Sequence, residues 1–120
     1  MTVEALVWYA LRRRNRILGL GKEANISMPL KFEWDPEKAE QNLDKHRVSF
    51  PEAATVFGDP LSMTFYDPDH SLDEDRYILI GHSGSDQLLM VAHTDRDDSI
   101  RVISARRATR RERKSYEEQQ

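Results

Sequence analysis

Apolar and polar positions change period along the chain. Leu6, Tyr9, Ala10, Arg13 and Ile17 fall at the spacing of a short amphipathic helix, which Gly19-Leu20-Gly21 interrupts. Residues 1–29 then read as an N-terminal extension, with 21–29 as linker, and a domain runs from residue 30 to 120. Phe32-Glu33-Trp34 alternates like a short strand. Asp35 follows as an N-cap, with Pro36 at the first helical position and Glu37 favoured by the helix dipole, so a helix is predicted over 36–46. Ser49-Phe50-Pro51-Glu52 has the form of a capping box, in which Ser49 accepts from the backbone of Glu52 and Glu52 reaches back. It opens a second short helix that carries Ala53, Val56 and Phe57 and ends at Gly58 and Pro60.

Beyond residue 60 the period becomes that of strands. Residues 62–66, 76–81, 88–94 and 100–105 are strand-length runs separated by Gly, Asp and Ser loops, and such short connections predict an antiparallel meander. Tyr77-Ile78-Leu79-Ile80 and Leu88-Leu89-Met90-Val91 are apolar on both faces and therefore belong to central strands. Thr109-Arg110-Arg111-Glu112 is another capping box, opening a polar terminal helix whose only large apolar anchor is Tyr116. The sum is an α+β fold in the order β-α-α-β-β-β-β-α, with the helices expected on one side of a small sheet.

Composition narrows the chemistry. A length of 120 residues fits one domain, and the absence of cysteine removes disulfides, thiolate metal sites and a cysteine nucleophile. The apolar stretch at residues 3–11 is too short to span a bilayer, and its cations follow it rather than precede it, unlike a secretory signal. A cytoplasmic protein with no membrane contact is expected. Residues 1–27 carry +3 of a total of −3, leaving −6 to residues 28–120, and Met28 stands as an alternative start just before the first convincing element. The acidic loop at residues 67–75 has oxygens at alternate positions, but Leu72 and Ile78 occupy the places where a calcium loop needs Gly and Glu. The histidines, His46, His70, His82 and His93, have no ligand spacing, so neither a metal nor another cofactor is expected.

Cations gather near the C-terminus. Arg101, Arg106, Arg107, Arg110, Arg111, Arg113 and Lys114 lie within fourteen residues against one acid, Glu112. Such a run is either a solvated surface of Arg–Glu pairs or a phosphate-binding face, because guanidinium forks and helix N-termini both bind oxyanions. Glu112 is either a general base or the third member of the Thr109 box. His93, at a strand end, is either an acid–base group or a packed structural residue.

Read in order, Phe32-Glu33-Trp34-Asp35, Asn42, Lys45-His46, Val48-Ser49-Phe50, Glu52-Ala53, Asp69-His70-Ser71, Glu74-Asp75-Arg76, Gly81, His93-Thr94, Ile103-Ser104-Ala105-Arg106, Ala108-Thr109 and Glu112-Arg113 resemble the BrnT toxins. The resemblance covers about residues 31–117. It implies a RelE-like domain: a small antiparallel sheet, two N-terminal helices and one C-terminal helix. It further implies an endoribonuclease that cuts RNA without a metal and is neutralised by BrnA, a ribbon-helix-helix antitoxin through which operator DNA is bound. Attack of a ribose 2′-hydroxyl on the adjacent phosphate needs a base, a stabiliser of the pentavalent phosphate and an acid. Carried over by position, Arg106 is the expected phosphate stabiliser, Arg76 the second cation and His93 the proton shuttle, with Tyr116 and Glu112 behind them. Lys45, His46, Arg96, Arg107, Arg110 and Arg113 are the expected RNA contacts. Strand geometry limits this set: Arg76 and His93 share one end of neighbouring strands, whereas Arg101 to Arg106 spans about 17 Å along its own. The net negative domain leaves open a second reading, an inactive toxin fold acting as co-repressor with its DNA-binding partner.

Overall fold

The computed structural model describes residues 31–96 and 99–119. The expected helix near Leu6 to Ile17, the linker and the boundary at residue 30 lie outside the described residues. Elements follow the expected order: β1 (Lys31–Glu33), α1 (Pro36–His46), α2 (Phe50–Thr55), β2 (Met63–Tyr66), β3 (Arg76–His82), β4 (Leu88–Arg96), β5 (Ser99–Arg107) and α3 (Arg110–Glu118). A 3₁₀ turn at Val56–Gly58 extends α2, and another at Pro68–His70 sits in the β2–β3 connection.

The helix ends show why these segments are helical. Asp35 accepts from the Glu37 backbone at 2.9 Å, with Pro36 at the start of the helix. The far end of α1 closes on Arg47 in a left-handed conformation (φ 60°), whose N–H reaches Leu43 O. Thr109 and Glu112 form the complete capping box of α3. The Ser49 box is only half made. Ser49 accepts from Glu52 N at 3.2 Å, but the Glu52 carboxylate turns away to accept from the hydroxyls of Ser83 and Ser85 in the β3–β4 turn.

The sheet has the order β1-β5-β4-β3-β2. β2 to β5 form the antiparallel meander, while β1 departs from it by pairing parallel to β5, Phe32 beside Ile100. The chain leaving β1 must pass through α1 and α2 before it reaches β2 at the opposite edge. β1 ends at Glu33, beside Arg101, and further along β5 the side-chain amide of Asn42 does a strand's work: its Nδ2 donates to Ala105 O (2.8 Å) and Val48 O (3.0 Å), and its Oδ1 accepts from Ala105 N.

Both faces of the sheet are packed. Beneath α1 and α2 lie Val48, Phe50, Ala53, Val56, Leu79, Leu89, Val91, Val102 and Ala105. Each fully buried Leu, Val or Phe contributes about 2 kcal/mol through apolar burial. On the other face Ile80, Leu88 and Met90 receive Tyr116 of α3. The expectation of helices on one side is therefore corrected, because β3 and β4 are apolar on both faces and α3 covers the second. Among the described residues no helix is long and apolar enough to cross a membrane.

Candidate active site

Register assigns side chains to faces, because successive residues of a strand alternate. Arg76 pairs with Thr94, which pairs with Arg101, while Arg106 pairs with Met90. Arg76, Thr94, Arg101 and Arg106 thus share the face that carries α3. Arg76 and Arg101 flank β4 at one level, about 10 Å apart at two strand spacings, and Arg106 lies about 13 Å further along. Part of the floor between them is Ala92, opposite Ile78 and Ser104.

Arg106 is already engaged. Its guanidinium meets Glu112 through two hydrogen bonds, at 2.8 and 3.0 Å, the bidentate geometry that suits this pair. That hydrogen bonding pushes Arg106 up and holds the Glu112 carboxyl below the usual carboxylate range. Glu112 is accordingly both the box residue and the partner of Arg106. One turn on, Tyr116 donates to Asp59 Oδ2 at 2.7 Å and lies 3.1 Å from His82 Nδ1, while Asp59 also accepts from His82 N. Burial, and then Asp59, push the Tyr116 phenol up, so it stays protonated.

His93 does not join the arginines. Alternation along β4, unbroken in its pairing with β3, puts its ring on the face opposite Ala92 and Thr94, edge-on to Phe57, stacked on Tyr77 and buried. Its Nδ1 meets Asp95 at 3.1 Å and its Nε2 has no partner among the described residues. Burial lowers its pKa, against a smaller opposing pull from Asp95. The expected triad of Arg76, His93 and Arg106 therefore does not converge, and a buried ring beneath Phe57 offers no route to a phosphate held by the arginines.

The Arg76 end holds what sequence reasoning overlooked. A pocket of about 310 Å³ is lined by Asp69, His70, Asp73, Glu74, Arg76 and Thr94. Thr94 is 2% exposed, and neither its Oγ1 nor Arg76 Nε has a hydrogen-bond partner among the described residues. His70 Nδ1 meets the Asp67 carboxylate at 2.9 Å. The loop carrying this pair is clamped to the backbone of Arg76: Asp67 N donates to Arg76 O, Arg76 N to Ser71 Oγ, and Ser71 Oγ to Asp67 O. The three-residue spacing of Asp67 and His70 around Pro68 was the available signal.

The other expected RNA contacts are scattered. Lys45 and His46 end α1, across the sheet from the arginines. Arg96 is spent on Glu74 (3.0 Å) and Glu33 (3.4 Å), and Arg101 lies 3.8 Å from Glu33. Arg107, Arg110 and Arg113 are exposed at the end of β5 and on α3. Among the described residues no group of three or more His, Asp or Glu side chains is arranged to hold a metal.

A family model described as the ribonuclease toxin BrnT of type II toxin-antitoxin systems matches residues 34–112. The chain belongs to the BrnT toxin family. Ribonuclease activity and an antitoxin partner are thus properties of its family, and the matched span takes in Arg76, His93, Arg106 and Glu112 while leaving Tyr116 outside. A crystal structure of the Brucella abortus ribonuclease toxin BrnT is similar in fold: 23% identity, TM-score 0.50, covering 68% of this chain and 99% of that one. No curated protein sequence matches.

Proposed function

We propose that this chain is a metal-independent endoribonuclease of the cytoplasm that cleaves RNA and so inhibits translation, and that a BrnA-like ribbon-helix-helix antitoxin neutralises it and supplies the contact to operator DNA. The observation that carries this reading is Arg76: a half-buried guanidinium beside the orphaned hydroxyl of Thr94, with no carboxylate in ion-pair reach among the described residues. Fixed cations aimed at a phosphate supply the charge stabilisation that a pentavalent transition state needs. Arg101 stands across β4 from it, and Arg106 extends the row towards α3, so an RNA strand lying over this face meets guanidinium groups along its backbone. Incubating labelled RNA with the protein in EDTA tests the reading. The wild type is expected to cut, and Arg76→Ala to remain folded and cut at least a hundredfold more slowly; no cutting by the wild type, alone or on ribosomes, overturns it.

The pairing of Arg106 with Glu112 favours a second reading, an inactive toxin fold that serves as co-repressor. A cation neutralised within the chain is less available to RNA than Arg76 is. Expression without the antitoxin separates the two: a nuclease arrests growth, whereas a co-repressor is tolerated.

A further inference from the structure

We infer that His70, oriented by Asp67, is the proton-transfer residue of this site, an assignment that rests on the ribonuclease reading above. His70 lines the same pocket as Arg76 and Thr94. Its Nδ1 is held by Asp67 Oδ2 at 2.9 Å, which leaves Nε2 as the atom available to a substrate. A carboxylate that fixes one ring nitrogen and so aims the other is the arrangement by which a histidine is readied for acid–base work. The pair is rigidly placed with respect to the phosphate-binding cation, because Asp67 N and Ser71 Oγ grip the carbonyl and amide of Arg76 itself at 2.9 Å each. The half-buried guanidinium of Arg76, which has no carboxylate partner among the described residues, is the cation that a phosphodiester oxygen in this pocket would meet.

The step balances with these groups and water. Nε2 of the neutral imidazole takes the proton of the ribose 2′-hydroxyl as the bond from the 2′-oxygen to phosphorus forms. The bond from phosphorus to the 5′-oxygen breaks with its electron pair on that oxygen, which leaves with a proton from a water molecule. The resulting hydroxide recovers its proton from the imidazolium, and the products are a 2′,3′-cyclic phosphate and a 5′-hydroxyl. The charged groups facing His70 are Asp67, Asp69, Asp73 and Glu74 of its own loop and Arg76 of β3. Glu74 is drawn off by Arg96, and Asp69 and Asp73 are exposed to solvent, where salt screens them.

Single-turnover cleavage of a 5′-labelled RNA in EDTA, followed from pH 5 to 9, tests the assignment. His70 is 63% exposed at its side chain, so His70→Gln is expected to melt like the wild type. Its cleavage rate is expected to fall about a hundredfold and to lose the rise with pH that a histidine base produces. Asp67→Asn, which keeps the backbone clamp, is expected to lower the rate less and leave RNA affinity unchanged. Wild-type rate and pH profile in His70→Gln overturn the inference and leave the ribonuclease reading standing, as does loss of that rise in His93→Gln alone. Absence of cutting by the wild type overturns both.

Discussion

The guanidinium of Arg106 and the carboxylate of Glu112 lie parallel, joined at 2.8 and 3.0 Å, and Glu112 Oε1 also accepts from Thr109 N at 2.8 Å. One carboxylate thus caps α3 and fastens it to β5. Glu112→Ala is expected to cost about 1 to 2 kcal/mol, read from urea unfolding. The sign with pH follows from the lowered carboxyl pKa: the stabilisation is present above the ordinary value of 4.5 and is lost as pH falls through the lower folded value. The variant should therefore show a shallower loss of stability than the wild type below pH 4.5.

Asn42 supplies both partners of Ala105 where β5 has outrun β1, and it holds Val48 O as well. Asn42→Ala strands three backbone groups at a buried site and is expected to cost about 3 kcal/mol. Thermal melting checks this, with a drop in midpoint far beyond that of an exposed α1 substitution such as Lys45→Ala.

His93 sets a second pH dependence, opposite in origin to a salt bridge. Burial holds its folded pKa below 6.5, so the unfolded chain binds a proton that the folded protein refuses. Stability is full above about pH 6.5 and falls as pH drops towards the folded value. Urea midpoints at pH 7.5 and 5.5 should differ in the wild type and converge in His93→Phe; equal slopes in both would assign the dependence elsewhere.

Gly81 marks a close approach of β3 to the segment after α2. A Cβ there would stand 2.9 Å from Ser62 Cβ, 3.0 Å from Asp59 Oδ2 and 3.1 Å from Val56 Cγ1. Gly81→Ala is expected to cost about 2 kcal/mol through overpacking, and to displace the carboxylate that holds Tyr116. Loss of the Tyr116 to Asp59 hydrogen bond, read from the hydroxyl proton in NMR spectra, accompanies the drop in melting temperature.

Elements that carry their own end chemistry were legible in the sequence. Asp35-Pro36 and Thr109 with Glu112 mark α1 and α3 because the capping groups are local, and the apolar runs of β3 and β4 announced central strands. What depends on distant partners was not. Glu52 has the spacing of a box, yet the hydroxyls of Ser83 and Ser85, more than thirty residues away, take its carboxylate. The irregularity in β5, where Ile103 is skipped between Val102 and Ser104, lets Arg101 and Arg106 share a face although they are five residues apart, and no composition signal precedes it. Asp67 and His70 looked like part of a solvated acidic loop because the backbone clamp to Arg76 is a tertiary fact. The separation of Arg106 from the Arg76 end, by contrast, followed from strand length alone.

α3 meets the body of the protein through a single buried side chain, Tyr116, and the ties of Arg106 and Asp59. A segment with so little buried surface is expected to open at a lower free energy than the β3–β4 centre, which hydrogen exchange of the two would compare. Each such excursion takes Glu112 away from β5. Docking of the last helix therefore carries a charge with it: the carboxylate that neutralises the third arginine of the sheet face is there only through that helix.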